Sequence, residues 1–137
     1  MAMRHGPKPL LRKAKSFQDS ASYLRSSVEM LQQEGYDSQR IAVLHRRTRG
    51  TNQLVETCKG LNVKIGTFHA FKGLEFDAVF LCDLHETFQN LADDQEISEE
   101  RRLLHMCVTR ARQQLIMTYQ GVLPKEIRAL SEWMDVI

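Results

Sequence analysis

The chain has no apolar stretch that approaches bilayer-spanning length, and it does not open on a secretion-signal pattern. No membrane-spanning helix and no membrane partner are expected. Cysteine is scarce. Cys58, Cys82 and Cys107 are odd in number, far apart and set among apolar residues. That pattern suits buried reduced thiols better than disulfides or a metal site, and it favours a cytoplasmic setting. Charge of one sign is lacking too. The net charge of +2 gives no strong electrostatic footprint for nucleic acid, although basic residues gather at Arg4–Lys15 and Arg46–Arg49 and acidic ones at Asp93–Glu100. No G-x-G-x-x-G turn is present, which argues against a dinucleotide-dependent metabolic enzyme. There is no G-x-x-x-x-G-K-S/T loop either, so the chain has no glycine-rich cradle for the β- and γ-phosphates of a nucleotide. No internal repeat or low-complexity segment occurs.

What is present fits one folded domain. The 137 residues are 42% hydrophobic and 26% charged, enough for a single core. Residues 1–9 are expected to be a flexible or expression-derived start, and 10–137 the domain. Leu10–Ser16 reads as a weak first strand. Ser16 and Asp19 are both credible caps for a helix carrying Ala21, Leu24, Val28 and Leu31, which Gly35 ends. Ile41–Leu44 reads as a buried strand, and Thr51 as the cap of a short helix stopped by Gly60. Val63–Ile65 and Ala78–Cys82 read as two further buried strands. Glu86–Ile97 reads as an acidic surface loop, and Ser98 as the cap of a helix running to about Arg112. Leu115–Tyr119 is a last strand. Pro124 suits the first turn of a terminal helix lined by Ile127, Leu130 and Trp133 or Met134. The expected order is β-α-β-α-β-β-α-β-α. This alternation predicts an α/β domain, with a mainly parallel sheet of about five strands and helices on both faces.

The most informative stretch is 63–82. Its two apolar runs enclose a polar connection carrying Thr67, His69, Lys72, Gly73 and Glu75. Lys72 and Gly73 suit an anion or a closely approaching backbone, and Glu75 can accept hydrogen bonds from a sugar hydroxyl. The connection fits a nucleotide or nucleic acid better than a small metabolite.

Residues 67–81, TFHAFKGLEFDAVFL, resemble motif V of the UvrD/Rep-like superfamily 1 DNA helicases, whose pattern is T-x-H-x-x-K-G-L-E-F/W-x-x-V-F/I-L/I. Ile41–Arg46 resembles motif IV, and Glu99–Arg112 resembles motif VI, E-E-R-R-L-x-Y-V-A-x-T-R-A. The resemblance covers about Leu10 to Tyr119 and implies a RecA-like (P-loop NTPase-type) three-layer fold, the second of the two motor domains. It implies that Arg110 faces the γ-phosphate, where a planar guanidinium neutralises charge spreading over phosphoryl oxygens. It gives Arg46 a phosphate role and His45 the place of an aromatic that stacks on adenine, with imidazole a smaller platform than the usual tyrosine. Arg46 and Arg110 are the catalytic candidates.

Glu75 is expected on the ribose and Gly73 beside the nucleotide. Thr67, His69, Lys72 and Phe71 are expected near single-stranded DNA, with packing under the loop an equal reading for Phe71. Arg46, Glu75 and Arg110 are expected to front one shared nucleotide. ATP with Mg2+ is implied as cofactor, held mainly by an N-terminal RecA-like domain that supplies the missing phosphate loop and acidic strand end. The two-domain helicase would be the enzyme and this chain alone, a monomer, would be inactive. The roughly twenty residues between motifs IV and V imply a compact variant without the large helical insertion common there. The alternative is a stand-alone helicase-like module that binds nucleic acid or a protein partner without catalysis.

Overall fold

A computed structural model describes residues 9–129 and 135–136. The elements follow in order as β1 (Leu10–Ala14), α1 (Phe17–Gln33), β2 (Ile41–His45), α2 (Thr48–Thr57), β3 (Lys64–Thr67), β4 (Phe76–Cys82), α3 (Asp94–Val108), β5 (Ala111–Gln120), α4 (Lys125–Arg128) and β6 (Asp135–Val136). The sheet order is β3-β2-β4-β5-β1-β6, and every pair is parallel. The expected α/β class holds, with a two-residue sixth strand added beside β1.

Burial on both faces makes this sheet. All five residues of β2 are buried, as are six of the seven in β4. Their alternate side chains feed two separate cores. One face carries Leu44, Val79, Leu81, Leu115 and Met117 against Leu104 and Cys107 of α3 and Ile127 of α4. The other carries Ile41, Val43, Ala78 and Phe80 against Leu24, Val28 and Leu31 of α1 and Leu54 and Cys58 of α2. The helical spacing read from α1 is thus its buried stripe. Ser16 caps it by accepting from Asp19 N–H at 3.0 Å, and Gly35 follows its end at φ 99°.

Three boundaries differ from expectation. The helix after β2 starts at Thr48 rather than beyond Thr51, whose hydroxyl instead donates to the Thr48 carbonyl at 2.6 Å. The early start is possible because Gly50 in its first turn passes over the His45 ring; a Cβ there would lie 2.2 Å from three ring carbons. The helix α3 starts at Asp94, capped by Asp93, which accepts from Glu96 N–H at 2.9 Å. The acidic stretch read as a loop is therefore partly a first helical turn, where carboxylates favour the positive end of the helix. That helix also ends at Val108 rather than Arg112, because Ala111 pairs with Phe76 and opens a ten-residue strand. The other strand ends shift by one to four residues. Helix α4 is four residues long; the expected contacts of Leu130, Trp133 and Met134, and the start at 1–8, lie outside the described residues.

All strands point one way, so the sheet has two chemically distinct rims. The rim of strand beginnings holds Lys64, Arg40, Glu75 and Arg110–Arg112. The rim of strand ends holds His45–Arg46, Thr67 and Asp83.

Phe80 is fully buried, so Phe80→Ala should cost about 3–5 kcal/mol in urea unfolding. Val122→Ala, at a side chain 78% exposed, should stay within about 0.5 kcal/mol. Equal stability of the two variants would refute the two-core sheet.

Candidate functional site: the 68–75 connection and its braces

Strands β3 and β4 flank β2, so the chain must travel from the ending rim of β3 back to the starting rim of β4. Residues 68–75 make that crossing without a helix, on the face covered by α3. Phe68 anchors the start: its side chain is buried, and its N–H donates to His45 O at 3.0 Å. The Cys107 thiol of α3 donates to Phe68 O at 3.4 Å. Turns then close through Ala70 N–H to Thr67 O (2.9 Å) and Leu74 N–H to Phe71 O (3.1 Å). Phe71 adopts φ 58° and Gly73 φ 79°. The left-handed conformation costs a bulky residue about 1–2 kcal/mol.

Arg110 supplies the restraint. Its side chain is buried, and NH1 donates to Ala70 O at 2.9 Å and to Phe71 O. Its own carbonyl accepts from Phe76 N–H at 2.9 Å, which joins the starts of β4 and β5. Phe71 also packs edge-on against Phe76, centroids 5.6 Å apart. Gly66 permits the fit, since a Cβ there would lie 2.6 Å from that of Ala70.

The structure brings Glu75 and Arg110 together at the starting rim. Glu75 is exposed and, with Gly73, lines a cavity of about 360 Å³. Thr67 and His69 stand at the opposite rim, half-buried and exposed respectively; Lys72 is an exposed side chain of the crossing, and Phe71 is half-buried against the α3-side core.

Two expectations need correction. Arg46 does not join Glu75 and Arg110. It springs from the ending rim of β2, and its Nε and NH2 donate to Glu100 Oε2 and Oε1 at 2.9 and 3.0 Å. His45 offers no stacking face, because its ring is buried under Gly50 and both nitrogens are engaged. Nδ1 accepts from Arg47 N–H at 2.9 Å, and Nε2 lies 3.0 Å from Asp83 Oδ2.

His45, Asp83 and Glu86 place possible ligand atoms within 4.8 Å of one another. With Nδ1 accepting, the proton sits on Nε2, which then donates to Asp83 and has no lone pair for a metal. The cluster also lies at the rim away from Glu75, so it does not fit the magnesium of a nucleotide there. Sequence reasoning missed Glu100 as the Arg46 partner; 54 positions separate the two, and nothing local marks the pair. The three thiols are free and buried, and burial pushes Cys58 up to about 11 and Cys107 up to about 12.

An all-parallel sheet with helices on both faces is a three-layer α/β fold. Residues 55–121 match the UvrD-like helicase C-terminal domain model. The chain is 42% identical over 59 residues to the ATP-dependent DNA helicase Rep of Escherichia coli, covering 41% of this chain and 9% of that one. It is 43% identical over 60 residues to the ATP-dependent DNA helicase PcrA of Bacillus subtilis, covering 41% and 8%. The chain thus spans about a tenth of the length of these curated relatives. Its fold matches the crystal structure of the C-terminal domain of a possible DNA helicase from Lactobacillus plantarum WCFS1. The TM-score there is 0.77 at 20% identity, over 96% of this chain and 86% of that one. Among the described residues, no helix is long and apolar enough to cross a membrane.

Burial alone would raise the Glu100 carboxyl. The hydrogen bonds from Arg46 and Phe88 N–H, with the charges of Arg46 and Arg47, outweigh it and hold the group below its ordinary 4.5. A carboxyl lowered on folding stabilises above its unfolded value, and that contribution is lost as pH falls through the lower folded value. Glu100→Gln should therefore flatten part of the stability loss below pH 4.5, measured by urea unfolding from pH 7 to 3. An unchanged acid profile would refute the pairing.

Proposed function

We propose that the chain is the second motor domain of an ATP-dependent DNA helicase, completing the ATP site of a preceding RecA-like domain and contacting single-stranded DNA. The observation that carries this reading is the crossing of residues 68–75. One short connection touches the rim that holds Glu75 and Arg110 and also the rim that holds Thr67 and His69. In this reading Glu75 meets the ribose. Arg110, braced at the same rim, meets the γ-phosphate when the two domains close; a guanidinium has five donors, and NH1 serves the two carbonyls. Thr67, His69 and Lys72 meet the DNA backbone, and Phe71 supports the loop from beneath. ATP and its Mg2+ are held mainly by the other domain, whose phosphate loop this sequence lacks. Arg46 and His45 stand outside the nucleotide site.

The pure chain should hydrolyse ATP no faster than buffer, with or without single-stranded DNA. Adding, in trans, the phosphate-loop domain of a UvrD-like helicase should restore DNA-stimulated hydrolysis. Arg110→Ala should then reduce it by roughly a thousandfold or more, the scale of losing an arginine that faces the transferred phosphoryl group. Robust hydrolysis by the chain alone, lost in Arg110→Ala, would overturn the reading.

A further inference from the structure

The cavity at the starting rim contains more chemistry than the motifs mark. Its lining includes Gln39, Lys64, Phe71, Glu75 and Arg112. These come from the beginnings of β3, β4 and β5 and the turn before β2. The sheet order sets Lys64 and Arg112 on strands three spacings apart, ~14 Å at the usual interstrand distance, with the start of β4 between them. Arg40, also at this rim, is partly neutralised by Asp77 at 3.8 Å. Among the described residues, Lys64 and Arg112 have no carboxylate within 4.0 Å, and Glu75 has no cation within that distance. Three unpaired ionic side chains thus face one open groove, two positive and one negative. Their span is close to the length of a nucleoside triphosphate.

We infer that this groove seats a nucleoside polyphosphate through two cations outside the motif roles, with Arg112 on the phosphates and Lys64 fixing the far end of the ligand. The inference rests on the reading that Glu75 meets the ribose, and it adds the groups that choose a polyphosphate over a nucleoside. Arg112 lies two residues beyond Arg110 on the same rim; it lines the groove, while Arg110 is buried and braces the loop beside it. A fork of donors there grips phosphoryl oxygens bidentately, and the lysine ammonium at the far end donates hydrogen bonds to acceptor atoms of the base or sugar. Gln39, whose Nε2 donates to Asn62 O at 2.7 Å, presents its Oε1 as an acceptor for a base edge.

Titration calorimetry with ATP, AMP and inorganic pyrophosphate tests this on the chain as it stands. Arg112→Gln should weaken ATP and pyrophosphate by about three- to tenfold, the effect of one solvent-exposed charged hydrogen bond, and leave AMP less affected. Lys64→Gln should weaken ATP and AMP, by about threefold or less, and spare pyrophosphate. Glu75→Gln should weaken ATP and AMP and likewise spare pyrophosphate. Both cations are exposed, so urea midpoints should not move. Unchanged ATP affinity in both cation variants, or no saturable binding of any of the three ligands at millimolar concentration, overturns the inference. If only Glu75→Gln lowers ATP affinity, the motor-domain reading survives and the added cations do not. If Arg112→Gln loses pyrophosphate while hydrolysis in trans never depends on this chain, the groove is an anion site and the motor-domain reading falls. Single-stranded DNA competing for the groove, with Arg112→Gln abolishing that competition, would assign it to nucleic acid and overturn the proposal.

Discussion

A guanidinium withdrawn from water and held by two carbonyls is the restraint on which this face of the molecule depends. Burying a cation is costly unless its donors are met, and here Arg110 NH1 meets the carbonyls of Ala70 and Phe71. In return the loop is fixed. A charged hydrogen bond contributes about 1.5–3 kcal/mol, which is of the same size as the about 1–2 kcal/mol cost of the left-handed backbone at Phe71 and offsets it. That bond acts together with the edge-on packing of Phe71 against Phe76 and the turn bond from Leu74 N–H to Phe71 O. The Cys107 thiol and the Phe68 ring then complete the packing of the connection against α3, and Gly66 its packing against β3.

The connection lies across a sheet with two ends. Parallel strands gather their beginnings and endings at separate rims, and most α/β crossings return through a helix on the sheet face. Here eight residues return with no helix, so backbone at one rim is mechanically continuous with backbone at the other. Thr67 follows the end of β2 through Phe68 and His45, while Glu75 precedes β4 beside Arg110. A displacement of either end has little slack to be absorbed in, because Phe68 is tied to α3 through Cys107, and Ala70 and Phe71 are tied to Arg110 just past the end of α3.

Much of this was legible in the residues. The continuous apolar runs of β2 and β4 announce strands buried on both faces, and Leu24, Val28 and Leu31 give α1 its inner stripe. The acidic start of α3 was not legible as helix, because carboxylates that favour a helix terminus look like a solvated loop when counted only by polarity. The division of site residues between rims was also hidden. Extended chain covers ~3.3 Å per residue, so the eight steps from Thr67 to Glu75 could fold back on one rim or cross a five-residue strand. The parallel pairing of both β3 and β4 with β2 decides for crossing. The bidentate pair of Arg46 with Glu100 and the burial of His45 under Gly50 are tertiary facts with no local signature.

The same partners decide which arginine an incoming phosphate would find. Arg46 faces a carboxylate at 2.9 Å, so an anion approaching it must displace Glu100 or meet its repulsion, which for unit charges 4 Å apart at an effective dielectric of 20 is about 4 kcal/mol. The Arg110 partners are carbonyl dipoles, and among the described residues no carboxylate lies within 4.0 Å of it. Its donors are partly satisfied while its charge is not. An anion arriving at the starting rim therefore gains Coulomb energy there that the ending rim withholds. The crossing loop, rather than an acid, keeps that charge in place, and a negatively charged ligand is the group that would complete it.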